Sequence, residues 1–297
     1  MKKTGFSVAL TTMVLVAMMA LASCATQMQE GDFMWIRARG GNSAIISGYA
    51  GTATDVVIPS QIQGLPVTEI RRNAFRNRRL TSVTIPNSVT AIGVDAFANN
   101  RLTSVTIPGS VTSLNGFANN QLTSVTINNG VIAIGPNAFQ NNRLTNVTIP
   151  NSVTSLSGFS GNQLSSLIIP NGVVALGGFH GNRLTNVAIP NSVRYIGSAA
   201  FGENQLTNVT IPSSVVDIAP GAFANNQLTS VNIQNGVSYI GVAAFAFNNL
   251  TSVNIPNSVR QIESAAFAHN RIPDVVIPHH TAVYSDSFDS GVRVSRR

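Results

Sequence analysis

Leu80-Thr-Ser-Val-Thr-Ile-Pro-Asn-Ser-Val-Thr-Ala-Ile-Gly-Val-Asp-Ala-Phe-Ala-Asn-Asn-Arg101 decides the fold, because the chain then repeats it. The pattern restarts at Leu102, Leu122, Leu144, Leu164, Leu184, Leu206, Leu228, Leu250 and Ile272, in steps of 20 or 22 residues. Self-similarity at this period is the signature of a solenoid, in which each unit buries its apolar face against its neighbours. The 297 residues therefore describe one growing array rather than a set of globular domains.

Within a unit, Val and Ile of Leu-x-x-Val-x-Ile-Pro alternate with polar residues. This is a period-two strand with one buried face. Pro follows Ile at Pro59, Pro86, Pro108, Pro150, Pro170, Pro190, Pro212, Pro256 and Pro278. It lacks the N–H a ladder needs and ends the strand. Val-x-x-Ile-Gly then supplies two inward residues and a permissive turn. Next comes Phe, at positions 75, 97, 117, 139, 159, 179, 201, 223, 245, 267 and 288; 11 of the 14 Phe fall in this column, which predicts one interior row of rings. Units starting at Leu102, Leu144 and Leu164 lack two residues just before Phe, a deletion that spares the strand. Asn100, Asn120, Asn142, Asn162 and Asn182 close successive units. A buried amide there is suited to pairing backbone groups left open by the turn.

The repeat Leu-x-x-Val-x-Ile-Pro-x-Ser-Val-x-x-Ile-Gly-x-x-Ala-Phe resembles the BspA-like, treponemal-type leucine-rich repeat. Gly-Tyr, Val-Val-Ile-Pro and Gly-Leu-Pro-Val-Thr near the start resemble the usual opening of that family. The likeness spans about residues 33 to 290. It departs in one respect: many such repeats carry Cys after Ala-Phe-x-x, where this chain has Asn. The resemblance implies a right-handed coil, an α/β-type or mainly β solenoid of about eleven units of 20–22 residues with a parallel sheet. It also implies a bacterial surface protein that adheres to host matrix proteins or to other bacteria. Fold-level analogy is an associational ground for function, so the residues must carry the rest.

The N-terminus reads as an address. Met1-Lys2-Lys3 is a basic start, and Val8 to Leu21 an apolar run too short to span a bilayer. Leu21-Ala22-Ser23-Cys24 looks like a lipobox, which implies cleavage after residue 23 and lipidation of Cys24, the only cysteine. The expected divisions are a signal peptide over 1–23, lipidated Cys24 and tether over 24–32, and a cap over 33–55. The repeat array then runs over 56–271, and a terminal repeat and C-terminal cap over 272–297. Trp35, the only tryptophan, is expected to pack as a lid on the first coil. The expected location is the bacterial cell envelope, anchored by lipid at the outer membrane and facing outward.

Charged residues are 10% of the chain and the net charge is +7. Without Lys2 and Lys3, the only lysines, 16 arginines face 11 acidic residues, a net of +5. Arg71, Arg72, Arg76, Arg78 and Arg79 form a local patch rather than a nucleic-acid-binding composition. None of His180, His269, His279 and His280 has metal-ligand spacing. No Gly-x-Ser-x-Gly elbow, phosphate loop or evident carboxylate pair is present. The reading is a non-enzyme with no cofactor, no metal site and no nucleic-acid partner.

Two surfaces are candidates for a ligand. The strand face presents Ser82, Ser104 and Ser124 beside Thr84, Thr106, Thr126 and Thr148, small and uncharged. Before each Leu a basic rim carries Arg79, Arg101, Arg143, Arg183 and Arg271, interspersed with Gln121, Gln163, Gln205 and Gln227. The expected partner is a host extracellular-matrix protein, a bacterial surface protein or an acidic glycan, besides the membrane that holds the anchor. The alternatives are a periplasmic structural or assembly lipoprotein, and a glycan-binding module.

Overall fold

A computed structural model describes residues 27–297. The expected signal peptide and Cys24 lie outside them. Each coil makes three passes along the solenoid, and no helix forms among the described residues. The first pass is the Leu-x-x-Val-x-Ile run, the second Val-x-x-Ile, the third Ala-Phe-x-x-Asn.

The continuous sheet lies on the second pass. This corrects the expectation that the Leu-x-x-Val-x-Ile runs build one long sheet. Two-residue strands such as Ala91–Ile92, Ser113–Leu114, Ala133–Ile134 and Ser155–Leu156 join in parallel register, coil after coil, in a sheet of 15 strands. By contrast, the first pass pairs only two strands at a time, as in Ser104–Ile107 with Ser124–Ile127 and Asn208–Ile211 with Ser230–Ile233.

Proline limits the first pass: Asp55–Val57 still pairs with Ser82–Thr84 although Pro86 follows, but over three residues, against four in the two pairs above. Those two pairs form where the later coil carries Asn128 or Gln234 in place of Pro. The Asn128 N–H donates to Ile107 C=O and the Gln234 N–H to Ile211 C=O, both at 3.0 Å. Coils with Pro there have no such donor. On the second pass the residue after Ile or Leu always has an N–H. Gly93 donates to Ile70 C=O at 2.8 Å, and Gly135 and Gly177 donate to Leu114 and Leu156 C=O at 2.9 Å.

The third pass is a ribbon with an alternating backbone. Phe97 N–H donates to Gly116 C=O at 2.8 Å and Asn99 N–H to Ala118 C=O at 3.0 Å. Two residues flanking each Phe from Phe75 to Phe267 enter the left-handed region; Asn73, Asn77, Asp95, Asn99, Asn137 and Asn141 have φ between +54° and +62°. Asn and Asp tolerate that region better than other side chains. The shortened units use Gly instead. Gly116 has φ +103°, and a Cβ there would sit 2.7 Å from Gly93 O. The two-residue deletion thus falls between the second and third passes and leaves both registers intact.

The core is the Phe row. Rings from Phe75 to Phe288 stack with centroids 4.9–5.7 Å apart and planes within 25°. All eleven are buried. Beside the row runs the Asn ladder. Asn120 Oδ1 accepts from Leu102 N–H at 3.1 Å, and its Nδ2 donates to Phe97 and Phe117 C=O at 2.9 and 3.1 Å. Asn142, Asn162 and Asn182 repeat the arrangement, satisfying one N–H and two C=O groups each.

At the N-terminal end, β1 (Met28–Glu30), β2 (Phe33–Arg37) and β3 (Ala44–Tyr49) form an antiparallel meander. Residues 28–30, placed by the sequence reading in a tether, are therefore part of the cap. β4 (Asp55–Val57) and β5 (Gln61–Ile62) lead to β6 (Leu65–Ile70), which pairs parallel with β3 and carries the continuous sheet into the array. Trp35 is wholly buried, a lid as expected, and Phe33 and Tyr49 prolong the ring row onto Phe75. At the other end, Asp289 takes the place of the ladder Asn, accepting from the N–H groups of His269 and Asn270 at 2.8 and 3.1 Å.

Candidate binding surfaces

The recurring Leu, Val, Ile, Phe and Asn residues are consumed by the interior, so a ligand can only meet the residues between them. Ser82, Ser104, Ser124, Thr84, Thr106, Thr126 and Thr148 are all exposed on the first pass. Within the paired strands they stand in register: Ser104 beside Ser124, Thr106 beside Thr126. The face is a row of hydroxyls with no charge, interrupted where the ladder lapses.

The basic rim is ordered by the backbone. From Arg101 onward the N–H of each rim residue donates to the Leu C=O one coil back: Arg101 to Leu80 at 2.8 Å, Gln121 to Leu102 at 3.0 Å, Arg143 to Leu122, Gln163 to Leu144 and Arg183 to Leu164 at 2.9 Å. Coils one ladder bond apart are spaced about 4.8 Å. Arg101, Arg143 and Arg183 alternate with glutamines, which sets the cations about 10 Å apart along one edge. Arg79, Arg101, Arg143, Arg183 and Arg271 are exposed. Among the described residues the ion pairs are Arg76–Asp95 at 2.9 Å, His180–Glu203 at 3.5 Å and Arg293–Asp274 at 3.3 Å, so none of the five rim arginines is neutralised. Arg76 leaves the basic patch partly compensated; Arg71, Arg72, Arg78 and Arg79 remain exposed.

The outward side of the continuous sheet is a third surface, which the sequence reading missed. After Glu69 it is small-residued from Ala91 to Ala175, and it gains Tyr195, Asp217, Tyr239 and Gln261 in later coils. Tyr195 is 54% exposed. Burial first, then the Glu263 carboxylate, raises the Tyr239 phenol above its ordinary value, so it stays a proton donor. The signal was available: these are the only two tyrosines in the Val-x-x-Ile motifs (Val193-Arg-Tyr-Ile, Val237-Ser-Tyr-Ile). In the sequence that motif reads only as two inward residues and a permissive turn, so the residues between them carry no weight until the register is known.

At the capped end a hollow of about 410 Å³ is lined by Glu30, Asp32, Phe33, Tyr49 and Asp55 among others. Asp55 is already engaged by the hydroxyls of Thr81 and Ser82 at 3.0 and 2.7 Å. Among the described residues no group of three or more His, Cys, Asp or Glu side chains could hold a metal ion.

The chain is similar to known repeat proteins. A leucine-rich repeat protein from Bacteroides ovatus has 18% identity and a TM-score of 0.51, over 91% of this chain and 99% of that one. The pneumococcal vaccine antigen PcpA has 16% identity and a TM-score of 0.52, over 92% of this chain and 88% of that one. Both share its fold. A leucine rich cell surface protein from Faecalibacterium prausnitzii has 24% identity over 93% of this chain and 96% of that one, with a TM-score of 0.47. Among curated proteins, none matches. The family model for the BspA type leucine rich repeat region matches residues 68–178 and 176–292, in 6 copies. Those segments cover most of the chain and coincide with the coils described above: this protein belongs to the BspA-type leucine-rich repeat family.

Proposed function

We propose that this protein is a lipid-anchored adhesin of the bacterial cell surface, a non-enzymatic scaffold that binds an acidic protein or matrix component along its repeat array. The carrying observation is the rim: arginines spaced along one edge by backbone hydrogen bonds, exposed and without carboxylate partners. A cation that neutralises no internal charge and is held at a regular spacing can steer an anionic partner and fix its register. The adjoining Ser and Thr columns add hydrogen-bonding groups over the same length, and many weak contacts along one rigid array reinforce each other. Lipid on Cys24 would hold the capped end at the membrane and leave the rest of the array accessible.

Two measurements test this reading. Protease added to intact cells should cleave the protein; protection until lysis would place it in the periplasm and defeat the adhesin. Capture of acidic matrix proteins by the purified protein should weaken about tenfold when Arg101, Arg143 and Arg183 are all changed to Gln, with a flatter salt dependence. Unchanged capture would remove the rim from the account.

A further inference from the structure

The outward column of the continuous sheet changes character halfway along the chain. In five coils it is Ala91, Ser113, Ala133, Ser155 and Ala175. The next four coils place Tyr195, Asp217, Tyr239 and Gln261 side by side in strict register. Gln261 Nε2 donates to Glu263 Oε1. In the following coil Ala282 takes the place beside Gln261, and Tyr284 stands two residues on, level with Glu263, its N–H donating to Ile262 C=O at 3.4 Å. The strip thus has two adjoining columns: Tyr195, Asp217, Tyr239 and Gln261 in one, and Glu263 and Tyr284 in the next, at its C-terminal end.

The chemistry of this strip differs from that of the rim. Tyr195 and Tyr284 are 54% and 52% exposed, whereas Asp217, Tyr239 and Glu263 are half-buried. The charges on it are Arg194, Arg260, Asp217 and Glu263, which cancel, so a polyelectrolyte of either sign finds no net attraction. An aromatic plane offers a large rigid apolar surface at low entropic cost, suited to the C–H face of a sugar ring. A carboxylate accepts two hydroxyl hydrogen bonds, and the protonated Tyr239 phenol adds a donor. Tyrosines two strands apart are separated by about 9.6 Å, close to the advance of one disaccharide in an extended β-linked glycan, where alternate sugars turn the same face outward. We propose that this strip binds an extended, uncharged β-linked glycan, with Tyr195 and Tyr239 stacking on alternate sugars, Asp217 and Glu263 accepting hydroxyls beside them, and Tyr284 adding aromatic surface at the C-terminal end. The site is separate from the arginine rim, and either can exist without the other.

Affinity electrophoresis of the purified protein through gels containing hydroxyethylcellulose, glycol chitin, dextran or heparin tests the proposal. One or both of the β-1,4-linked polymers should retard migration, and dextran should not. Tyr195→Ala and Tyr239→Ala should each weaken the apparent affinity about tenfold. Alanine already occupies the same position in another coil, as Ala175, so the Tyr195 variant should melt at the parent temperature. Arg101→Gln in the rim should leave retardation unchanged. The proposal is overturned if neither β-linked polymer retards the protein, if dextran does so equally, if heparin alone does so, or if both tyrosine variants bind like the parent.

Discussion

Asn162 shows how much one side chain does in this architecture. Its Oδ1 accepts from Leu144 N–H at 3.0 Å, and its Nδ2 donates to Phe139 and Phe159 C=O, both at 2.9 Å. All these groups are buried, and water cannot replace the amide without opening the coil. Asn162→Ala leaves one N–H and two C=O groups short of a partner and should destabilise by about 3 kcal/mol, read as a lower urea midpoint. The residue before it in each unit serves a different purpose: Asn99, Asn119 and Asn141 carry φ from +54° to +58° and are replaced in later coils by Glu203, Phe247 and His269 at φ from +53° to +59°. Asn-Asn thus joins a conformational role to a hydrogen-bonding one, and only the second was anticipated from sequence.

Among elements, the instructive contrast is between two strands that read very differently. Leu-x-x-Val-x-Ile has the stronger alternation, yet it pairs only locally; Val-x-x-Ile is too short to show a period, yet it runs unbroken through the array. Hydrogen-bond donors decide this, and they act between residues about twenty apart in the chain. Asn128→Pro would give that coil the residue most others carry, and remove the donor to Ile107. The expected outcome is faster amide exchange of Val125, Thr126 and Ile127, with overall stability changed by no more than about 1 kcal/mol, since proline's restriction of the unfolded chain offsets the lost bond. Exchange across Ala133–Ile134 should not move, because the second pass keeps its own ladder.

At the scale of the molecule, every coil contacts chiefly the coils on either side, so stability is a sum of units and interfaces. Phe159 sits in the middle of the row, stacked on Phe139 at 5.2 Å and Phe179 at 5.6 Å. Phe159→Ala should cost about 3–5 kcal/mol and split the single urea transition into two, as the halves on either side lose their coupling. A single undivided transition would show that coupling along the array survives the gap. Capping matters for the same reason: Trp35 closes one end of the row and Asp289 the other.

By itself the sequence determined the solenoid, its repeat boundaries, the interior Phe row and the Asn ladder. These follow from spacing alone, since a residue type recurring every 20 or 22 positions must stack on its copies once the chain coils. The same logic placed the Ser, Thr and Arg columns on the outside. The tertiary structure decided which pass carries the continuous sheet, because that depends on whether an N–H in one coil meets a C=O in the next. It also decided what that sheet presents outward. Tyr195, Asp217 and Tyr239 are 22 residues apart in the chain and mean little until the register sets them side by side.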